Sequence, residues 1–184
     1  MFARRCSNRN SLIVGLIAIA AFIGIGLSAS SQEAVQGSPE IDYPGFMDIT
    51  SEVYALREQR LVSLADFNQM ASEPKTLILD TRSREAFAMG HIEGAINLPF
   101  SDFTDAKLAS VIPSMDTRIL IYCNNNFSDN IAPVMLKRVE LALNIPTFIN
   151  LNGYGYENIY ELGELTQTTH PDVHWVRATD AIDN

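Results

Sequence analysis

Positive charge and thiols are both scarce in this chain. Only 13 Lys+Arg face 22 Asp+Glu in 184 residues, a formal net charge of −9 with a pI near 4.7, and that balance excludes a phosphate backbone as partner. Charged residues make up only 19% against 47% hydrophobic, too apolar a composition for a disordered chain. There is no Gly-Lys-Ser/Thr phosphate loop, and Gly153-Tyr154-Gly155 is too short for nucleotide binding and reads as a turn. His170 and His174 have a spacing a metal could use, but no second ligand pair supports them, so they read as part of a solvated tail. Neither an internal repeat nor a low-complexity tract is present. The length suits one domain of ordinary size.

The two cysteines belong to different parts of the chain. Arg4, Arg5 and Arg9 precede an uncharged run from Leu12 to Leu27, followed by the small residues Ser28 to Ser31. That is the order of an export signal. Residues 1–30 are therefore expected to be a signal peptide cleaved near Ser28–Ser31, with a membrane anchor through residues 12–27 as the alternative. Arg4-Arg5 lacks the apolar residues that follow a twin-arginine motif, so ordinary export to the periplasm or the extracellular space is expected. Cleavage would remove Cys6 and three arginines, leaving 10 basic against 22 acidic residues, a net charge of −12. Cys123 would then be the sole thiol in an oxidising compartment.

Residues 31–46, rich in Pro, Gly, Ser and acids, read as a linker; the domain is placed at 47–175 and a C-terminal tail at 176–184. Helical spacing is predicted for Asp48–Arg60 and Leu64–Met70. Short apolar runs then alternate with helix-like segments: strand Thr76–Leu79, helix Ser83–Met89 stopped by Gly90, strand Ala95–Pro99, helix Ser101–Val111 and strand Arg118–Tyr122. After Cys123, the residues Ile131, Val134, Met135, Val139, Ala142 and Leu143 form one apolar stripe, predicting a long helix packed on the sheet with Pro133 in its first turn and its cap at Ser128, Asp129 or Asn130. A last strand is predicted at Thr147–Leu151 and a closing helix at Tyr156–Leu162. Strands of consecutive Ile and Leu are buried on both faces, which predicts an α/β fold around a mostly parallel sheet. Cys123 would sit at the carboxyl end of its strand, the edge where such sheets bind ligands.

Two stretches resemble the rhodanese family of single-domain sulfurtransferases. One is Leu79-Asp80-Thr81-Arg82 with Glu85-Ala86-Phe87 and Gly90-His91-Ile92-Glu93-Gly94-Ala95-Ile96-Asn97-Leu98-Pro99; the other is Ile119-Leu120-Ile121-Tyr122-Cys123, with Leu151-Asn152-Gly153-Tyr154-Gly155 later. The resemblance spans about residues 60–163. It implies a rhodanese-like three-layer α/β/α fold, a catalytic Cys123 in a six-residue loop ending at Ser128, and sulfur transfer through a Cys123 persulfide. The donor would be thiosulfate or a persulfide and the acceptor a thiol or cyanide, with neither metal nor organic cofactor.

A loop that curls around a sulfur and leads into a helix aims several N–H groups at one point, which favours a thiolate. Asn124, Asn125, Asn126, Phe127 and Ser128 are accordingly the expected anion cradle, with Ser128 placing a hydroxyl near the sulfur. No positive side chain lies among them, and Asp129 follows, so a persulfide fits better than the thiosulfate dianion. An arginine six residues after a phosphatase cysteine is replaced here by Asp129, which excludes phosphoryl transfer by that mechanism. Asp80, Arg82 and His91 are expected to be structural, Arg82 pairing with Asp80, Glu85 or a carbonyl. The rival function is a catalytically weak rhodanese-like module that binds a partner or carries sulfur passively. Thiol redox chemistry lacks a resolving cysteine in the chain.

Overall fold

A computed structural model describes residues 39–177. The expected signal segment, its cleavage zone, the first part of the linker and residues 178–184 lie outside the described residues. Among the described residues, no helix is long and apolar enough to cross a membrane.

The first helix, α1 (Tyr43–Arg57), begins inside the stretch read as linker. Asp42 caps it by accepting from the Gly45 N–H, and Pro44 occupies its first turn, where no N–H is needed. After β1 (Leu61–Val62), Ser63 caps α2 (Leu64–Ala71) by accepting from the Asp66 N–H. Ser83 and Thr104 play the same part for α3 (Arg84–Met89) and α4 (Asp105–Val111). Between these lie β2 (Thr76–Asp80), β3 (His91–Ile92) and β4 (Ile96–Asn97). The chain continues through β5 (Arg118–Tyr122), α5 (Asn144–Gly153), β6 (Ile159–Leu162) and β7 (Trp175–Val176).

Five strands form a parallel sheet in the order β1-β6-β5-β2-β4, while β3 and β7 make a small antiparallel pair. Four of the five residues in each of β2 and β5 are buried, because helices cover both faces. Alternation divides their side chains. Leu77, Leu79, Ile119, Ile121 and Ile159 join Val53, Leu108, Phe148 and Leu151 on one face. Ile78, Leu120, Tyr122 and Leu162 join Leu64, Phe67, Phe127 and Val134 on the other. The α/β fold around a mostly parallel sheet expected from the strand composition is present, as is the three-layer arrangement that the resemblance implies.

Beyond Cys123 the predicted elements are corrected. Residues 128–138 form no helix, and between Cys123 and α5 there are only short 3₁₀ turns at Asn124–Asn126 and Val139–Leu141. Of the apolar stripe, Ile131, Met135 and Val139 are exposed and Val134 alone is fully packed. The asparagines explain the outcome. Asn130 Oδ1 accepts the Leu136 N–H and Asn125 Oδ1 the Lys137 N–H, while Asn124 and Asn125 donate to the carbonyls of Met135 and Lys137. Side chains here satisfy the backbone groups that a helical ladder would have used. The predicted strand Thr147–Leu151 lies within α5, whose buried residues include Asn144, Thr147, Phe148 and Leu151 at helical spacing. The predicted closing helix contains β6, a strand paired between β1 and β5.

Candidate functional site

Register places Cys123 at the carboxyl end of β5, immediately after Tyr122, which pairs with Asp80 of β2. The thiol is 2% exposed and lines a cavity of about 570 Å³. Arg57, Val53 and Tyr54 of α1, Asn144, Ile145 and Phe148 of α5, and Glu161 of β6 also line it, with Val139 and Ala142 from the excursion before α5. Most of this lining is apolar.

The backbone N–H groups of Asn144, Asn125 and Leu143 favour the anionic form of the Cys123 sulfur. Two of them belong to the start of α5, so the helix N-terminus expected beside the sulfur exists, but it arrives about twenty residues after the cysteine. The balance of forces on the thiol is also a correction. Burial pushes the Cys123 pKa up; the three amides pull it down and the Glu161 carboxylate pushes it further up, with a net rise above the ordinary thiol value. At neutral pH the resting sulfur therefore carries its proton.

The five residues expected to cradle an anion separate into different tasks. Asn125 lines the cavity and contributes an amide, while its side chain holds Lys137. Asn126 is buried with its side chain fully engaged: Oδ1 accepts the Cys123 N–H at 2.9 Å, and Nδ2 donates to the carbonyls of Leu162 and Glu164 at 2.8 and 3.2 Å. Asn124 is bonded to Met135. Phe127 is a core residue, edge-on to Tyr122 and Trp175 at 6.0 and 5.0 Å between ring centres. Ser128 is directed to the Thr166 carbonyl at 3.1 Å and lines a separate depression, so it provides no hydroxyl to the sulfur. Asp129 is held by Thr168, through the backbone N–H at 2.9 Å and the hydroxyl at 3.3 Å, and does not line the Cys123 cavity.

Arg82 and Asp80 form a buried pair at 2.5 Å. Arg82 also donates to the Gly90 carbonyl, and the Tyr122 hydroxyl donates to Asp80 at 2.5 Å while accepting the Ile92 N–H. His91 donates through Nδ1–H to the Phe87 carbonyl and stacks on the Phe87 ring. None of the three lines the cavity. His170 caps a 3₁₀ turn through Nδ1.

Three charged residues line the cavity that the sequence reading does not single out, Arg57, Glu161 and Glu164. Arg57 makes two bonds to Glu161, Nε to Oε2 at 2.6 Å and Nη2 to Oε1 at 2.7 Å. Glu161 is 5% exposed, and its hydrogen bonds to Arg57 raise the guanidinium pKa. The signal available in the sequence was weak: Arg57 falls before the resembling stretch, and Glu161 sits between apolar residues in a segment read as helix.

Among known proteins, the family model described as Rhodanese-like domain matches residues 63–162. A curated relative, the adenylyltransferase and sulfurtransferase uba4 of Sclerotinia sclerotiorum, is 26% identical over 112 residues, covering 58% of this chain. The chain aligns with only 25% of that relative's length. Similar solved structures include the Alr3790 protein from Anabaena sp. (19% identity, TM-score 0.40, 67% of this chain and 78% of that one). Another is the BH2092 protein from Bacillus halodurans (18% identity, TM-score 0.39, 63% and 74%).

Proposed function

Because the chain belongs to the rhodanese-like domain family, we propose that it is a sulfurtransferase in which Cys123 carries a sulfane sulfur between a donor and a thiophilic acceptor. The observation that supports this most is the position of the thiol: it follows the carboxyl end of a central parallel strand and lines a cavity. In the first half-reaction Cys123 attacks the outer sulfur of a donor persulfide, R–S–S⁻. A new S–S bond forms to Cys123, the donor S–S bond breaks with its electron pair leaving on R–S, and the cysteine proton departs with that group as R–SH. The acceptor, a thiolate or cyanide, then attacks the sulfane sulfur and the S–S electron pair returns to Cys123. The amides of Asn125, Leu143 and Asn144 stay beside the negative charge in both states.

The apolar wall and the Glu161 carboxylate favour an organic persulfide over the thiosulfate dianion. With the export order of the first thirty residues, the setting proposed is periplasmic or extracellular. The test is the intact mass of the protein after exposure to a low-molecular-weight persulfide or thiosulfate, beside Cys123→Ser. One added sulfur, released by cyanide and absent in the variant, is expected. No adduct with either donor would instead favour a binding module.

A further inference from the structure

The Cys123 loop contains no basic side chain, yet the cavity does contain a cation. Arg57 comes from the last turn of α1, before the residues 63–162 matched by the family model. It is bound through two hydrogen bonds to Glu161. Glu161 in turn accepts from Asn144 Nδ2 at 3.2 Å, and the same nitrogen lies 3.3 Å from Asn126 Oδ1, the atom that accepts the Cys123 N–H. Asn144 lines the cavity beside Cys123, and its backbone N–H favours the sulfur anion. A continuous chain of contacts therefore runs from α1 through β6 and the start of α5 to the backbone of Cys123 and the cavity beside its sulfur.

We propose that Arg57 is a positioning residue for Cys123, a cation that α1 supplies to a site whose own loop has none, acting through Glu161 and Asn144. Two consequences of the geometry make this more than a salt bridge. The guanidinium fixes the carboxylate that orients Asn144, and it offsets a negative charge held in an apolar cavity beside the sulfur. The charged side chains on that cavity are Arg57 from α1, Glu161 from β6 and Glu164 just beyond β6; α5 and the excursion contribute neutral residues. With Glu161 and Glu164 already on the cavity, the thiolate or persulfide anion adds a further negative charge there. Arg57 is what makes that tolerable.

The proposal rests on Cys123 being the reactive thiol, and its test reads the thiol directly. The pH dependence of Cys123 alkylation is measured in the full chain for the native protein, R57K, R57Q, E161Q and the double variant R57Q/E161Q, with melting temperature alongside. R57Q is expected to move the alkylation midpoint up by about one unit, a roughly ten-fold loss of thiolate at neutral pH. E161Q is expected to move it down, the double variant to return toward the native value, and R57K to retain most of it. If R57Q does not fold, the double variant against E161Q carries the same comparison and must have the higher midpoint. Singles that both lose thermal stability while leaving the midpoint unmoved, or moving it in the same direction, would overturn the proposal. A native protein that alkylates as described but never takes up sulfur would refute the transfer reading and leave this one standing.

Discussion

Asn126 holds Cys123 from behind. Its Oδ1 accepts the Cys123 N–H at 2.9 Å, and its Nδ2 is anchored on the carbonyls of Leu162 and Glu164, just past the neighbouring strand. This side chain ties the end of β5 to the end of β6 at the point where the sulfur leaves the sheet. Its polar side-chain atoms are all engaged within the protein.

Asn126→Ala is therefore expected to weaken the fold as well as the site. Three backbone groups lose their partner, and buried groups left unpaired cost about 1–3 kcal/mol each where water cannot replace the bond. A loss of about 2–3 kcal/mol in urea unfolding, together with slower persulfide formation, is the expected result. An unchanged unfolding midpoint would mean that water replaces the amide fully.

The pH profile of the thiol follows from its surroundings. Burial and Glu161 raise the Cys123 pKa more than the amides lower it, so the thiol is the dominant form at neutral pH and the anion appears only as pH rises. Alkylation by iodoacetamide should accelerate through a midpoint above the ~8.5 of free cysteine. A midpoint on the acidic side of that value would show that the amides dominate after all.

Asp80 and Arg82 provide a contrasting pair, buried and outside the lining of the cavity. Asp80 accepts from the Arg82 backbone and guanidinium and from Tyr122. Arg82→Met should destabilise the protein by about 3–5 kcal/mol, since it leaves a buried carboxylate without its counter-charge. Tyr122→Phe should cost about 1–3 kcal/mol by leaving the Ile92 N–H unpaired. Thermal or urea denaturation measures both, and the Cys123 alkylation midpoint should stay close to native in Tyr122→Phe.

The first half of the domain was legible because local signals agreed there. Ser63 and Ser83 sit where caps belong, the runs at Leu77–Leu79 and Ile119–Ile121 are buried on both faces, and Asp80-Thr81-Arg82 marks a turn. Past Cys123 they conflict. Thr147-Phe148-Ile149 has strand composition, but Asn144, Thr147, Phe148 and Leu151 share a buried helix face on which two members are polar, so hydrophobic periodicity missed it. The stripe from Ile131 to Leu143 has helical spacing without a helix, because Asn124, Asn125 and Asn130 capture the backbone first. For the site, the cysteine and its strand could be read directly. The partners that govern it, Arg57, Asn144 and Glu161, come from three distant segments that only tertiary packing unites.

That α1 walls the cavity bears on how the protein can be cut. A fragment trimmed to residues 63–162 would keep the central strands β2, β5 and β6 and the thiol but lose Tyr54, Arg57 and the edge strand β1. Such a fragment would keep the thiol but leave its site open to water on one side, with Glu161 stranded at the breach.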